Sequence, residues 1–247
     1  MESKFKLPTE SVELPSKGFL YPEDSPLASG TLEMKYMTAK EEDILTNQNY
    51  IKNGTVIDKL LQSLIVDKSI KLNELLIGDK NAIMIAARVL AYGKDYTVTF
   101  AGEKVTVDLS KLDNKELDET LYSDRKNEFK FPLPHTDNQV TFRLLTHADE
   151  KNIEKEIEGR KKLNKDSSTQ VTTRLSYIIT SVNGLTEKKD IREFVNDYLL
   201  AKDSRALREY YNTVSPDIDI QHTYTDDAGR EEVFEIPIGI DFFWPDL

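Results

Sequence analysis

The segment at residues 82–92 is apolar almost all round, with Arg88 as its only charge. A helix with this pattern belongs at the centre of a core, because a surface helix carries its apolar residues along one stripe. The rest of the chain must therefore supply elements that cover it. Asp79 is placed to cap this helix, and Gly78 is predicted to stop the short apolar segment before it.

The residues before this helix predict an arm, a strand and two capped helices. Residues 1–30 contain four prolines and two glycines, and proline disfavours helix at its own position and at the residue before it. This stretch therefore predicts an extended arm. Apolar and charged residues alternate at 31–37, which is typical of a strand. Capping-box spacing at Thr38 and Glu41, and again at Thr55 and Asp58, predicts two helix starts.

The residues after the central helix alternate between strand and helix patterns. A period of two predicts hairpins at 96–109 and 218–238, the second turning at 226–229. A further strand pair is predicted at 129–133 and 140–145, with a short helix at 115–122 before it. An exposed helix is predicted at 149–163. Three more helices are predicted from buried faces at Val171, Leu175, Ile178 and Val182; at Ile191, Phe194, Val195 and Tyr198; and at Leu207, Tyr210, Tyr211 and Val214.

These patterns predict an α+β fold: a helical core with a small β-hairpin insert, and a C-terminal β-hairpin followed by an aromatic tail. We divide the chain into an extended N-terminal arm at 1–30, an N-terminal strand and helical core at 31–95, and a small α+β insert at 96–146. Residues 147–247 hold the helical block, the C-terminal hairpin and the tail, and we expect them to form one compact unit with 31–95.

Composition excludes several classes of protein. The net charge of −11 repels phosphate backbones and anionic lipid heads, so neither nucleic acid nor membrane is an expected partner. No apolar run approaches the roughly 20 residues that cross a bilayer. Residues 1–6 lack the apolar stretch of a signal peptide, so we expect the protein to stay in the cytoplasm where it is made. The absence of cysteine excludes disulfides and thiolate metal sites.

The sequence carries no common catalytic motif. A Gly-rich phosphate loop, a Gly-x-Ser-x-Gly elbow and a His-Glu-x-x-His pair are all missing. His147 and Asp149 suggest a relay, but residues two apart on a helix do not face one another. Acidic runs such as 41–43 are typical of a helix N-terminus. We therefore expect no enzymatic activity, catalytic residue, cofactor or metal, and the remaining alternative is an enzyme with an unrecognised motif.

Three motifs, in order along the chain, resemble the baseplate hub assembly proteins of contractile-tailed bacteriophages. The first is Leu14-Pro15-Ser16-Lys17-Gly18 with Tyr21-Pro22, followed by residues 38–45. The second is Leu76-Ile77-Gly78-Asp79-Lys80-Asn81-Ala82, which continues through Arg88 to residues 91–96. The third is Ile236-Pro237-Ile238-Gly239-Ile240-Asp241-Phe242-Phe243-Trp244-Pro245. The resemblance extends from about residue 12 to the end of the chain.

The resemblance implies a phage-encoded factor for assembly of the tail baseplate hub, acting by protein–protein contacts. Such a factor is either a chaperone lost on maturation or a permanent baseplate component, and the virion tail is then a second location. The implied partners are other hub or tail proteins, and a homo-oligomer stays open. Some relatives carry cysteine pairs near the two hairpin turns, which suggests zinc ribbons. This chain has no cysteine, so metal binding is not carried over.

Nine residues are candidates for binding such a partner. Large aromatic side chains near a chain end either pack on the core or dock on a neighbour, and a proline-rich arm has the same two alternatives. Arg88 needs a counter-charge, either an acid of this chain or a carboxylate of the partner. The candidates are Phe242, Phe243, Trp244 and Pro245 of the tail, Leu14, Pro15, Phe19 and Tyr21 of the arm, and Arg88.

Overall fold

The computed structural model describes residues 7–122, 124–163, 169–225, 229–239 and 241–243, and shows an α+β fold. Its helices are α1 (Ala39–Leu45), α2 (Gln48–Lys52), α3 (Val56–Leu64), α4 (Ile77–Tyr92), α5 (His147–Leu163), α6 (Gln170–Ile178), α7 (Lys188–Glu193) and α8 (Ala201–Val214). Its strands are β1 (Thr9–Glu13), β2 (Thr31–Lys35), β3 (Asp95–Phe100), β4 (Glu103–Asp108), β5 (Phe129–Pro132), β6 (Gln139–Phe142), β7 (Ile179–Val182), β8 (Gln221–Thr225) and β9 (Glu231–Glu235).

The strands form four small antiparallel sheets. Three are two-stranded, β1–β2, β3–β4 and β8–β9, and the fourth has the order β5–β6–β7. An isolated two-stranded hairpin is marginally stable in water, so such sheets depend on packing against other elements. The buried residues of helices and sheets form one hydrophobic cluster, which supplies that packing.

Helix α4 lies in the core, as its composition predicts. Most of its residues from Ala82 to Arg88 are buried. The prediction for its start was wrong, because the helix begins at Ile77 and Gly78 lies inside its first turn. A Cβ atom on Gly78 would lie 1.9 Å from the carbonyl oxygen of Pro216. Gly78 therefore allows close approach of the chain after α8, and does not end a segment.

Within residues 7–30, the part of the N-terminal arm that the structure describes, β1 is the only extended strand. Strand β1 pairs with β2 in a register that joins Thr9 to Lys35 and Glu13 to Thr31. Residues 14–30 then fold back in turns and a short 3₁₀ helix. The predicted capping box forms at Thr38, whose N–H donates to Glu41 at 3.0 Å. At Thr55 the side chain makes no cap hydrogen bond.

The sheet β5–β6–β7 contains one strand, β7, that the sequence analysis assigned to a helix. The predicted pair at 129–133 and 140–145 is confirmed as β5 and β6. The helical face through Val182 was wrong, because α6 ends at Ile178 and the chain continues as β7, which pairs with β6. Pairing with β6 satisfies the backbone of a segment rich in β-branched residues. The predicted helix at 115–122 is only a 3₁₀ turn at Glu119–Tyr122.

Both predicted hairpins are confirmed, and they pack against each other. Phe100 of β3 stacks on Phe234 of β9 with ring centroids 4.4 Å apart. Ala101 and Gly102 both have positive φ, which is the conformation of a two-residue type I′ hairpin turn. Of the second predicted turn, residues 226–228 lie outside the described part of the chain. The hairpins cover each other's aromatic residues although they are far apart in sequence.

Candidate functional site

Asp79 joins the N-terminal loop to the first turn of α4. Its carboxylate is fully buried and accepts hydrogen bonds from the Ser16 N–H at 2.9 Å and the Ser16 hydroxyl at 2.7 Å. The Tyr21 hydroxyl donates to the same carboxylate at 2.5 Å and accepts from the Leu76 N–H at 2.9 Å. Asp79 therefore holds the loop and does not cap α4.

The loop sequence suits this attachment. Gly18 has a φ of +76°, and a Cβ atom there would lie 2.5 Å from the carbonyl oxygen of Ala28, so the turn needs glycine. Leu14 and Pro15 are buried beside it. Phe19 is half-buried and stacks on Tyr122 with ring centroids 6.4 Å apart. The loop is thus packed on the core, and its part in binding a partner stays a prediction.

Burial dominates the electrostatics of this attachment. It raises the pKa of Asp79, and the nearby Asp217 carboxylate adds to the effect, although hydrogen bonds from Tyr21 and Ser16 oppose it. Burial also raises the pKa of Tyr21. Among the described residues no Lys, Arg or His forms an ion pair with Asp79. The three donors of the loop therefore stabilise the carboxylate.

Arg88 lies near the other end of α4 among aromatic rings. It is 5% exposed, and its guanidinium carbon is 4.9 Å from the ring centroid of Tyr92 and 5.8 Å from that of Tyr96. One guanidinium N–H donates to the Gly93 carbonyl at 3.4 Å, while Nε has no partner in the described structure. The predicted ion pair with an acid of this chain is not formed by any described residue, and cation–π contacts take its place. A partner carboxylate stays a prediction.

The two described aromatic residues of the C-terminal tail are core residues. Phe242 and Phe243 are fully buried. The Phe242 ring packs edge-on against Tyr96 with centroids 4.8 Å apart and against Phe243 at 5.5 Å. Packing on the chain's own core therefore describes both residues, and a further role in a partner interface stays a prediction. Trp244 and Pro245 lie outside the described residues.

The three motifs behind the resemblance meet at α4. The first motif binds the start of the helix through Asp79, and the third approaches its other end through Phe242 and Tyr96. Asp79 and Arg88 are nine residues apart, which is about 14 Å along a helix axis. The motifs thus specify how the chain closes around its central helix.

Polar clusters elsewhere join segments that are distant in sequence. The Asp58 carboxylate contacts His147 Nε2 at 2.7 Å and Lys151 Nζ at 2.7 Å, whereas Asp149 pairs with Arg143 at 2.6 Å. Burial would raise the pKa of Asp58, but the bonds from His147 and Lys151 outweigh it and lower the pKa to about 2. His147 and Asp149 therefore have separate partners, which agrees with the argument against a relay.

A second buried acid, Asp203, fixes the β5–β6 turn to the start of α8. It accepts from the His135 N–H at 2.9 Å and the Thr136 hydroxyl at 2.8 Å. Burial would raise the pKa of Asp203, but these bonds outweigh it and lower the pKa. Sequence reasoning missed this contact and that of Asp58, since no local pattern relates residues 67 or more positions apart.

In the part of the chain that the structure describes, no group of three or more His, Asp or Glu side chains is placed to hold a metal ion. The described helices include none with the length and apolar character that a bilayer crossing requires.

The surface around α7 exposes Tyr198, which the helical spacing placed on a buried face, together with Leu185. Helix α7 continues as a π-helical turn at Phe194–Tyr198. A π turn has a wider hydrogen-bond spacing than an α-helix, so it displaces Tyr198 from the buried face predicted from the 3.6-residue period. Tyr198 is 61% and Leu185 56% exposed, and both line a cleft of about 220 Å³. We call this region the α7 surface; it comprises Val182, Asn183, Leu185, Asp190, Glu193, Phe194 and Tyr198.

A comparison with protein families identifies the chain's relatives. The family model described as T4 bacteriophage base plate protein matches residues 9–244, so the chain belongs to this family of phage baseplate proteins. The match contains all three motifs up to Trp244. No curated protein and no solved structure matches the chain significantly. The role of the protein is therefore tied to the phage baseplate.

Proposed function

We propose that this protein is a non-enzymatic assembly factor, or chaperone, for the baseplate hub of a contractile phage tail. It acts by contacts with other hub or tail proteins. The observation that carries this proposal is the family match over residues 9–244. The resemblance of the three motifs to hub assembly proteins narrows the role from the baseplate to its hub.

The use of the buried polar side chains supports a binding role. Asp79 and Asp203 are fully buried, and each accepts hydrogen bonds from a distant segment of the same chain. Asp58 holds His147 and Lys151 in the same way. These acids serve to close the fold, because their oxygens are occupied by donors of the protein itself. A fold closed by such bonds presents a defined surface, which suits a protein that orders its partners.

A permanent place in the baseplate is the second candidate function. It is favoured by the description of the matching family, which names the base plate itself. Both candidates require the same partners, and they differ in whether the chain stays in the finished particle. The identity of the partner therefore does not distinguish the two candidates. They are distinguished by whether the chain is still bound in the finished particle.

Co-purification from infected cells tests the shared part of the proposal. A tagged chain should retain hub or tail proteins, identified by mass spectrometry. The matched control is Ile85→Asp, which places a carboxylate at a buried position of α4 and should unfold the chain and abolish specific capture. Recovery of the same proteins by both chains, or of no baseplate protein by the parent, would contradict the proposal. A hydrolase or transferase activity in the purified chain would contradict the proposal that the protein is not an enzyme.

A further inference from the structure

We propose that the α7 surface is a docking site for a partner segment that carries an apolar or aromatic side chain next to a lysine or arginine. The inference rests on the proposed function, since it takes that segment to belong to another baseplate protein. It adds the location of the contact and the chemistry of the partner.

The cleft of the α7 surface has room for a single side chain. Leu185 and Tyr198 are both more than half exposed at the cleft, while Val182 below them is buried. Leu200, two residues after Tyr198, is also 50% exposed. A cavity of about 150 Å³ accepts a benzene ring, so the cleft of about 220 Å³ accommodates one aromatic or branched aliphatic group. Tyrosine at such a position is a frequent centre of binding energy.

The negative charge around this cleft favours a partner segment with a basic residue next to its anchoring side chain. The carboxylates of Asp190 and Glu193 line the cleft, and neither forms an ion pair with another described residue. Asp197 lies in the π turn beside Tyr198 and is exposed. A lysine or arginine next to the anchoring side chain would meet this negative potential, which favours both association rate and specificity.

The acids near a second cleft beside α7 already have basic partners, and this gives the contact a direction. Lys188 and Arg192 line that cleft with Arg143 and Asp149. Asp149 pairs with Arg143 at 2.6 Å, and Arg192 is bonded to Glu156 at 3.2 Å. Asp190 and Glu193 form no such pair in the described structure, so the partner's basic residue should lie on their side of α7, which disfavours reversed binding.

The π turn creates this surface. Under the α-helical period, Tyr198 would share the buried face of Ile191 and Val195, both of which are 4% exposed. The π turn instead leaves Tyr198 outside, next to Leu185. Single π turns are rare in proteins, and those that do occur are often found at functional sites. The backbone geometry of the π turn therefore accounts for the exposure of Tyr198.

The test uses the full chain and an array of overlapping peptides that span the baseplate proteins of the same phage. Bound peptides should share an apolar or aromatic residue beside lysine or arginine. In solution, Tyr198→Ala and Glu193→Lys should each weaken binding of those peptides by about tenfold or more. A peptide whose lysine is replaced by glutamate should recover binding to Glu193→Lys. Both variants should melt close to the parent, because exposed positions tolerate substitution.

Matched controls lie on β9, where Val233 is 59% exposed and Glu231 is exposed. Val233→Ala and Glu231→Lys should leave peptide binding unchanged. The proposal is overturned if no peptide binds, if the α7 variants bind as the parent does, or if the β9 variants are the ones that lose binding. Co-purification of baseplate proteins with the Tyr198→Ala chain would then show that the proposed function holds and that the docking site lies elsewhere. Loss of baseplate partners by the parent chain itself would mean that the proposed function has failed.

Discussion

Removal of one hydroxyl from Tyr21 tests the attachment of the N-terminal loop to α4. Tyr21→Phe deletes the bond of 2.5 Å to Asp79 and leaves the Leu76 N–H without its acceptor at 2.9 Å. A buried polar group that loses its partner costs about 1–3 kcal/mol, and two groups are affected here. We expect the free energy of unfolding to fall by about 3 kcal/mol. For a chain of this length that is a fall in Tm of roughly 6–12 °C.

The assay is thermal unfolding followed by circular dichroism, with Tyr36→Phe as the matched control. The Tyr36 hydroxyl donates to Glu10 at 3.3 Å at the surface, where a bond contributes little because water replaces it. The control should melt within about 1 °C of the parent. A Tyr21→Phe chain that melts with the control would refute the reasoning that Asp79 and Tyr21 hold the loop in place.

Three further predictions concern packing and charge. Gly78→Ala should destabilise the chain by about 2–3 kcal/mol in urea unfolding, since its Cβ would lie 1.9 Å from the Pro216 carbonyl oxygen; a stabilised variant would contradict that contact. Phe242→Ala should cost about 3–5 kcal/mol because its ring is fully buried, and an unchanged Tm with lost partner capture would show that docking is its main role. Burial would raise the pKa of Glu41, but hydrogen bonds from Lys35 and Thr38 outweigh it and lower the pKa to about 2. Its stabilisation should therefore be present above pH 4.5 and disappear as the pH falls toward 2, and Glu41→Gln should flatten that part of the urea midpoint curve.

Local patterns predicted most elements of the fold. The hairpins, α4 and α8 follow from periodicities that act within one element, so neighbouring residues are sufficient to identify them. Strand β7 could not be identified in this way, because Ile178 and Val182 also fit a helical spacing. Its strand conformation depends on pairing with β6, about 40 residues earlier in the chain, and the prediction from spacing does not include that pairing.

The candidate site was less predictable than the fold. The motifs contain Ser16, Tyr21 and Asp79, but only Tyr21 was a candidate site residue, because the hydrogen bonds among the three join residues 58 and 63 positions apart. Asp79 therefore seemed to be a helix cap when only its neighbours were considered. The exposure of Tyr198 had no signal in the sequence either, since the π turn changes the helical period that the prediction assumes.

The composition of assembly intermediates and finished particles tests the central claim most directly. Quantitative mass spectrometry should measure the ratio of this chain to the other baseplate proteins in both. An assembly factor for the hub predicts a defined ratio in the intermediates and loss of the chain from the finished particle. The same ratio in both would contradict the account and make the protein a permanent component of the baseplate.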